Sequence, residues 1–502
     1  MAVKPRPSPP APTGSLTARP EFDAVVRDFS LDDGPARLSY RVHVGRMSFS
    51  STISYSSIPA WSDVFGPMPT RENGLRLVSS LIAWDAMRFL ALGGERLVLP
   101  PELPCDAVIS RAWRRCFLSQ FGEWRYRNGI RYRDGAPELL SPAHSSAVVR
   151  GGGGRPQAGN RALLTNGGGK DTLAGMMILA RSGIEHDVYE GYLPVGGGHD
   201  LQRRLLDEVR SGAAAPGTGV VRVYVQDDFY RRPAAEFADA GVTVDHFHTD
   251  FAVGHTACYV GYMPVILHGG HERVWFNIER SADDAHVRWD GEEINHQWRK
   301  SAEYQAISSR LFSELTGCDW FTGFDSTLRG LYDHMIYRVV ATRPDLLRRT
   351  HSCNYAKPWC GRCPKCCYCY LMTAAFLGED YARGLLGVTE SLLADPRNLP
   401  VWESLMDASQ VAWECVPSRQ EVVTAAEQCL SRGIDHPVLR RYAPGPATAA
   451  RLRARFTGID WSRVPAPIAE AVRDLARESA GPATGLPGAG EPAPAARAGC
   501  RP

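Results

Sequence analysis

Between residues 160 and 280 the chain alternates between short apolar runs and longer amphipathic stretches. The apolar runs predict strands at 162–164, 187–195, 220–226, 242–248 and 273–278. The amphipathic stretches predict helices that start at Lys170, His199 and Ala234, and the uncharged segment 251–270 predicts one buried helix. Strands that alternate with helices are typical of a doubly wound parallel sheet. We therefore predict an α/β domain over 160–350.

The preceding region has a different pattern. Strict alternation predicts strands at 37–43 and 48–55, and a helical period predicts a helix at 72–92. The segment 124–133 contains Asn128-Gly129 between arginines and aromatic residues, which predicts a β-hairpin with a type I′ turn. Its arginines would suit a phosphate-bearing ligand, and a solvated edge hairpin is the alternative. We interpret 21–150 as an N-terminal α+β domain.

Composition and charge limit the classes of partner and identify the parts of the chain that are expected to be disordered. Lys and Arg number 57 against 55 Asp and Glu, so the net charge of +2 gives no field that would recruit nucleic acid or a membrane. The tails 1–20 and 480–502 are rich in Pro, Ala and Gly and are expected to be disordered, whereas 379–479 is predicted to be helical. Without a signal sequence or a membrane span, we expect a cytoplasmic protein.

The helix at Lys170 is preceded by a glycine turn that follows a strand. The turn reads Asn166-Gly167-Gly168-Gly169-Lys170-Asp171-Thr172. A strand, a glycine turn and a helix start together present backbone N–H groups and a helix dipole to phosphate. The pattern GxxxxGK[ST] does not fit, because Leu164 stands where its first glycine should be. A glycine turn without a ligand is the alternative.

A polar block follows the last predicted strand, at 277–284 and 292–304. From His296 onward the spacing predicts a helix with Asn295 as its N-cap. That helix would place these pairs on shared faces: His296 and Lys300, Gln297 and Ser301, Lys300 and Glu303. We expect this helix start to face the glycine turn, and a solvated, charged helix start is the alternative.

These segments carry a resemblance. The loop fits [ST]-G-G-x-D-[ST] with one added glycine, and so resembles the loop of the N-type ATP pyrophosphatases, which split ATP into AMP and pyrophosphate. With the segments 277–283 and 293–301 it resembles the UDP-N-acetylmuramoyl-L-alanyl-L-glutamate epimerases, over roughly 160–380. Two departures are the insertion of Ile278 before Glu279, and Arg299 where a Ser is expected before the Lys.

The resemblance implies a sheet of the adenine nucleotide alpha hydrolase (PP-loop) type and an enzyme that uses ATP and Mg²⁺ to invert the terminal L-Glu of a UDP-sugar dipeptide. It implies that residues 166–172 bind pyrophosphate and that Asp171 binds Mg²⁺. Catalytic roles fall to Glu279, His296, Lys300 and Glu303, with His296 the first and Glu303 the second candidate for the base. Substrate-binding roles fall to Arg280, Ser281, Asn295, Gln297 and Ser301. We expect neither nucleic acid nor membrane as a partner.

Six cysteines lie within 353–369. The spacing of Cys353, Cys360, Cys363 and Cys366 predicts a structural zinc knuckle over 351–378. Cys367 or Cys369 is an alternative fourth ligand, and a redox CxxC pair is the rival interpretation. Similar spacing occurs in 7-cyano-7-deazaguanine synthase. The functional alternatives are therefore a peptide epimerase of natural-product biosynthesis, an ATP-dependent enzyme that modifies a nucleobase or tRNA, and a non-enzymatic zinc-binding module.

Overall fold

A computed structural model describes residues 23–92, 94–132, 136–142, 149, 151–156, 161–192, 198–214, 217–229, 232–239, 259–353 and 355–480. The strands in these residues are β1 Ala24–Asp32, β2 Ala36–Val44, β3 Met47–Tyr55, β4 Arg96–Val98, β5 Glu138–Leu140, β6 Ala162–Thr165, β7 His186–Tyr192, β8 Val220–Asp227, β9 Arg273–Phe276, β10 Val287–Trp289, β11 Glu292–Ile294 and β12 Gly323–Ser326. β10 and β11 form a separate antiparallel pair.

The other strands form one ten-stranded sheet in the order β12-β9-β6-β7-β8-β3-β2-β1-β4-β5. The strands from β12 to β8 are parallel to their neighbours, as are β1, β4 and β5, whereas β8, β3, β2 and β1 pair antiparallel. The α/β class with a sheet dominated by parallel pairs is confirmed. The strands of the predicted N-terminal domain extend the same sheet, with Ile53 of β3 opposite Val225 of β8.

The α-helices are α1 Trp61–Phe65, α2 Arg71–Ala86, α3 Ala107–Gln120, α4 Gly122–Asn128, α5 Lys170–Ser182, α6 His199–Ala213, α7 Ala234–Asp239, α8 Met263–Gly269, α9 Ala302–Thr316, α10 Asp333–Val340, α11 Pro344–Leu347, α12 Pro364–Leu377, α13 Glu379–Leu386, α14 Leu399–Met406, α15 Arg419–Ser431, α16 Pro437–Tyr442, α17 Pro446–Thr457 and α18 Ala469–Glu478. No helix in the described part of the chain is long and apolar enough to cross a membrane.

Most predicted elements in the described residues are confirmed. Strands β2, β3, β6, β7, β8 and β9 and helices α2, α5, α6 and α7 lie where the periodicity places them, and α8 lies in the uncharged segment. The predicted strand at 242–248 and both tails fall outside the described residues, except for Ala480. The C-terminal region is helical as predicted. Its helices share one hydrophobic core with the sheet, in which Leu164, Trp275, Leu371 and Trp402 are buried.

The predicted hairpin at 124–133 is wrong. Residues 122–128 form α4, and Gly129 ends it in the left-handed conformation with φ +62°. The Gly129 N–H donates to the carbonyl oxygens of Arg125 and Tyr126 at the end of the helix. Many helices end on a glycine with positive φ, and a type I′ turn also uses residues with positive φ. Asn-Gly is therefore compatible with either structure, and tertiary packing decides between them.

Candidate active site

The glycine loop leaves the carboxyl end of β6, which lies between β9 and β7 in the parallel part of the sheet. The Asn166 N–H donates to the Tyr189 carbonyl oxygen (2.8 Å), and Asn166 Oδ1 accepts the Gly168 N–H (3.0 Å). Thr172 Oγ1 accepts the Gly167 N–H (3.0 Å), so Thr172 stabilises the loop rather than capping the helix. Gly169 is the N-cap of α5, and no side chain caps the helix there. The first N–H groups of α5 therefore suit an anion.

The loop packs directly against residues 351 and 352. Gly168 has φ +75°, and a Cβ there would collide with the His351 ring. The His351 N–H donates to the Gly168 carbonyl oxygen (2.8 Å). At Gly169, a Cβ would lie 2.7 Å from Ser352 Oγ. The loop thus requires glycine both for its backbone conformation and for close contact with the segment that leads into the cysteine cluster.

We expect Gly168→Ala to reduce any reaction that uses the loop by about 10²-fold, because the loop or His351 must shift by about an ångström. The matched control is Gly183→Ala at the other end of α5, where φ is +67° but no atom lies within 4 Å of the added Cβ. That control should lose only about 1 kcal/mol of unfolding free energy from the left-handed conformation. Urea unfolding and turnover of both variants measure the difference, and equal turnover would contradict a tightly packed loop.

Lys170 forms a buried charge cluster at the start of α5. Its Nζ lies 2.5 Å from Asp171 Oδ1 and 2.5 Å from Asp333 Oδ1. Burial lowers the pKa of Lys170, but the two carboxylates outweigh burial and raise it well above its usual value. Burial raises the pKa of Asp171, but the Lys170 ammonium outweighs burial and lowers it. Asp171 is therefore ionised at neutral pH.

The segment after β9 lies beside the loop, as predicted. Asn277 Nδ2 donates to the Thr165 carbonyl oxygen (2.7 Å), and Asn277 Oδ1 accepts from Thr327 Oγ1 (3.0 Å). A Cβ on Gly175 would collide with Asn277 Oδ1. Glu279 is buried, and its charge is among those that raise the pKa of Lys170. The carboxyl ends of β6, β9 and β12 therefore meet at one edge, where ligands of parallel sheets bind.

Two predicted substrate-binding residues follow Glu279. Arg280 pairs with Asp460 at 3.2 Å, and its guanidinium lies 4.7 Å from the centre of the Tyr332 ring. Ser281 is buried, and among the described residues its hydroxyl has no hydrogen-bond partner. Asp460 belongs to the helical C-terminal region, so that region contacts the segment from which the site is built.

The predicted helix start at His296 is wrong, because α9 begins at Ala302 with Ser301 as its N-cap. Ser301 Oγ accepts the Tyr304 N–H (3.2 Å). Asn295 Oδ1 accepts the Gln297 N–H (2.7 Å) in a local turn, and such a turn competes with helix formation. Residues 298–300 form a 3-10 turn instead.

The 295–300 turn packs against the segment that follows β9. Lys300 Nζ donates to Gln297 Oε1 (2.9 Å), and Asn295 Nδ2 donates to the Ala282 carbonyl oxygen (2.8 Å). Burial raises the pKa of Asp171, and the Lys300 ammonium is one of the charges that lower it. Lys300 is therefore close enough to the loop to stabilise negative charge there, whereas the helical i,i+4 pairing predicted from the sequence does not occur.

His296 is buried between two acidic groups. Its Nδ1 forms a short hydrogen bond with a carboxylate oxygen of Glu123, and its Nε2 lies 3.9 Å from Cys415 Sγ. Burial lowers the pKa of His296, but the Glu123 carboxylate outweighs burial and raises it well above its usual value. Glu123 also forms an ion pair with Arg127, whose Nε lies 2.9 Å from a carboxylate oxygen of Glu123. The sequence analysis missed Glu123 and Cys415, because they lie more than a hundred residues from His296 and no local pattern marks them.

Glu303, the second candidate base, is poorly placed for that role. Its carboxylate pairs with Arg115 at 2.5 Å and accepts from Trp298 Nε1 at 2.9 Å. The side chain is 47% exposed. Burial raises the pKa of Glu303, but the hydrogen bonds from Arg115 and Trp298 outweigh burial and lower it. A carboxylate held by arginine at the surface is a weak base.

Three arginines of segment 124–133 are paired with protein carboxylates, whereas Arg133 lies outside the described residues. The pairs are Arg125 with Glu292 (3.0 Å), Arg127 with Glu123 (2.9 Å) and Arg131 with Asp290 (3.2 Å). The Tyr126 ring packs against the rings of Trp289 (6.0 Å) and Trp413 (5.5 Å). Because these ion pairs occupy the arginines, these side chains are less suited to bind phosphate than the sequence predicts. The segment instead pairs its Arg127 with Glu123.

The cysteine cluster has the geometry of a metal site. The Sγ atoms of Cys353, Cys360, Cys363 and Cys366 all lie within 4.8 Å of one another. Cys353 and Cys363 are 3.8 Å apart, and Cys360 and Cys366 are 3.7 Å apart. A tetrahedral ion with bonds of about 2.3 Å requires sulfur–sulfur distances of about 3.8 Å. Cys367 and Cys369 are buried outside this group of four sulfurs. The geometry therefore favours Cys366 over either of them as the fourth ligand of a metal.

The fold and the site define an α/β protein in which a glycine loop, buried carboxyl groups and a buried lysine meet at the carboxyl ends of parallel strands. Residues 348–451 match the family model described as 'MurL C-terminal domain', and residues 258–320 match the model described as 'MurL N-terminal domain'. No solved structure matches the chain.

Three curated relatives carry one name, UDP-N-acetyl-alpha-D-muramoyl-L-alanyl-L-glutamate epimerase. That of Salinispora tropica is 29% identical over 78% of this chain and 82% of its own length. That of a Micromonospora species is 27% identical over 76% and 82%, and that of Xanthomonas oryzae pv. oryzae is 25% identical over 67% and 72%. These matches support the resemblance to the epimerases, and an isomerase is the class of enzyme that they support for this chain. The PP-loop superfamily stays a prediction.

Proposed function

We propose that this chain is an ATP- and Mg²⁺-dependent epimerase that inverts the terminal L-Glu of UDP-MurNAc-L-Ala-L-Glu to D-Glu, a step in the synthesis of a peptidoglycan precursor. The reaction passes through an acyl-adenylate and releases AMP and pyrophosphate. The observation that carries the proposal is the meeting of the glycine loop, the segment after β9 and the 295–301 turn at one edge of the sheet. The names of the curated relatives supply the substrate.

Activation by ATP answers a chemical difficulty. Removing the α-proton of a glutamate would place a second negative charge next to its carboxylate, so the C–H bond is barely acidic. Joining that carboxylate to AMP removes the charge and leaves an electron-withdrawing carbonyl. Each pK unit of acidity gained is worth about 1.4 kcal/mol. An inversion with no net change in bonding can therefore require ATP.

The loop residues fit the phosphates of ATP. The uncapped start of α5 offers N–H groups to a departing pyrophosphate, and Lys170 adds a buried positive charge. Asp171 would hold Mg²⁺, which would neutralise phosphate charge. Within the described residues the four cysteines are the only group of three or more metal-type ligands. This agrees with Mg²⁺ held by one or two carboxylates and by phosphate oxygens.

Zinc is the ion proposed for the cysteine cluster, because four thiolates at tetrahedral spacing prefer it. The knuckle is joined to the site at two points. It follows His351 and Ser352, which pack on the loop. It also contains Lys365, between Cys363 and Cys366, whose Nζ donates to the Cys415 carbonyl oxygen (2.7 Å). A structural metal there would hold both sides of the site in place.

The direct test incubates the protein with UDP-MurNAc-L-Ala-L-Glu, ATP and Mg²⁺ in D₂O. We expect D-Glu with deuterium at its α-carbon, together with AMP and pyrophosphate. Chiral chromatography after hydrolysis, mass spectrometry and a pyrophosphate assay measure these products. Pyrophosphate release without deuterium would indicate ligation instead. Activity only on other glutamyl peptides would favour a natural-product epimerase, and ATP turnover only with a purine-like acid or tRNA would favour the deazaguanine synthase type.

A further inference from the structure

Cys415 is a half-buried thiol for which the chemistry described so far has no use. Its Sγ lies 3.9 Å from Nε2 of His296, and its carbonyl oxygen accepts from Lys365 Nζ at 2.7 Å. The other side of the His296 ring bonds to Glu123. A thiol, an imidazole and an orienting carboxylate in line form the arrangement that activates cysteine side chains in enzymes.

His296 is not available as the base in this arrangement. One ring nitrogen is engaged by Glu123 and the other faces Cys415. Burial lowers the pKa of His296, but the Glu123 charge raises it well above its usual value, so the ring is an imidazolium at neutral pH. The neighbouring His286, with rings 6.0 Å apart, stays neutral because burial and the His296 charge lower its pKa to about 4.

The groups that face Cys415 favour its thiolate. They are His296 on one side and Lys300 and Arg299 from the 298–300 turn. Lys365 from α12 instead bonds to the backbone carbonyl oxygen of Cys415. Burial raises the pKa of the Cys415 thiol, but the charge of Lys300 and the hydrogen bond with His296 outweigh burial and lower it to about 5. Lys300 also acts on Asp171 of the glycine loop. One ammonium therefore connects the thiolate with the ATP side of the site.

We propose that the Cys415 thiolate, paired with the His296 imidazolium and Glu123, exchanges the α-proton on one face of the activated glutamyl residue. This proposal rests on the proposed function. In the step the Cα–H bond breaks, an S–H bond forms, and the electron pair moves into the activated carbonyl. The return step breaks S–H and forms Cα–H again. Because Cys415 and His296 are neighbours, they serve the same face, and inversion uses a separate donor on the other face.

The first test compares Cys415→Ala with Cys105→Ser, a matched change of a half-buried cysteine elsewhere in the chain. With UDP-MurNAc-L-Ala-L-Glu, ATP and Mg²⁺ in D₂O, we expect Cys415→Ala to lose about 10²–10⁴-fold in α-deuterium exchange. Its release of AMP and pyrophosphate should change by less than about 10-fold, because the loop is intact. Cys105→Ser should keep both activities. Unchanged exchange in Cys415→Ala would overturn the proposal.

The second test needs no substrate. The rate of iodoacetamide reaction at Cys415, followed by peptide mass spectrometry, should rise with pH through a midpoint near pH 5, the lowered pKa of this thiol. Glu123→Gln removes the charge that keeps His296 protonated, so the midpoint should move toward the ordinary value of about 8.5. A midpoint near pH 8.5 in the wild type, or an unchanged midpoint in Glu123→Gln, would contradict a thiolate–imidazolium pair between Cys415 and His296. A purely structural Glu123 would not move the midpoint.

The outcomes separate this proposal from the proposed function. Absence of exchange in the wild-type protein, with a midpoint near pH 5, would refute the epimerase while keeping the thiolate pair. Exchange in the wild type that survives in Cys415→Ala would keep the epimerase and refute the role of Cys415. A peptide found as a thioester on Cys415 would identify the thiol as a nucleophile and would also overturn the proton-transfer role.

Discussion

Asp171→Asn should lower ATP-dependent pyrophosphate release by about 10³-fold. The change keeps the size of the side chain but removes the ionised oxygen that would hold Mg²⁺ and the partner that Lys170 contacts at 2.5 Å. The fold should persist, because Lys170 retains Asp333, also at 2.5 Å. Steady-state assays with varied ATP and Mg²⁺ measure the loss.

The matched control for this change is Asp200→Asn. Asp200 also lies in the first turn of a helix that follows a parallel strand, but its side chain is 82% exposed, and Arg203 is its only ion-pair partner among the residues that the structure describes. Exposed pairs of this kind contribute about 0–1 kcal/mol. We expect no change in turnover for this control. An Asp171→Asn variant that keeps a rate within about 10-fold of the wild type would contradict the assignment of the glycine loop to ATP.

Cys363→Ser should remove about one metal ion per chain and lower the free energy of unfolding by several kcal/mol, because structural zinc sites contribute folding energy directly. The effect should extend to the glycine loop, since residues 351 and 352 that precede the cluster pack on Gly168 and Gly169. Metal analysis of the purified protein and urea unfolding with and without a chelator measure both effects.

Cys367→Ser is the control for the cluster. Cys367 is buried and adjacent to Cys366, but it is not one of the four sulfurs that lie together. This variant should retain its metal. Loss of metal in Cys367→Ser with retention in Cys366→Ser would contradict the ligand set drawn from the sulfur positions. If neither Cys363→Ser nor Cys366→Ser lost metal, that result would contradict a metal site formed by these cysteines.

The periodicity of the chain predicted four of the five strands in the parallel run from β12 to β8, and it missed β12. Apolar runs fixed β6 to β9, and the carboxyl-end rule then correctly brought the loop at 166–172 together with the segment at 277–283. Two local predictions were wrong for one reason. At Asn128-Gly129 and at Asn295 the same residues suit a turn, a helix cap or a helix end, and only packing against distant segments selects among them.

The thiol–imidazole pair could not be predicted from the sequence. Cys415 carries no spacing motif, and Glu123 lies in a segment that the turn pattern assigns to a hairpin. His296 was identified by its place after the sheet, whereas the groups at its two ring nitrogens, Glu123 and Cys415, were not. The protonation of such groups depends on electrostatic interactions between residues that are far apart in the chain. A single sequence does not show which of these residues lie close together in space.

The central claim is that ATP is consumed to make the α-proton of a glutamyl residue exchangeable. Its most direct measurement is deuterium uptake at that α-carbon in D₂O, with ATP, without ATP, and with an analogue that cannot be cleaved between its α and β phosphates. The account predicts exchange only with ATP, and AMP formation at least equal to the D-Glu formed. Exchange of equal rate without ATP, or with the uncleavable analogue, would contradict it.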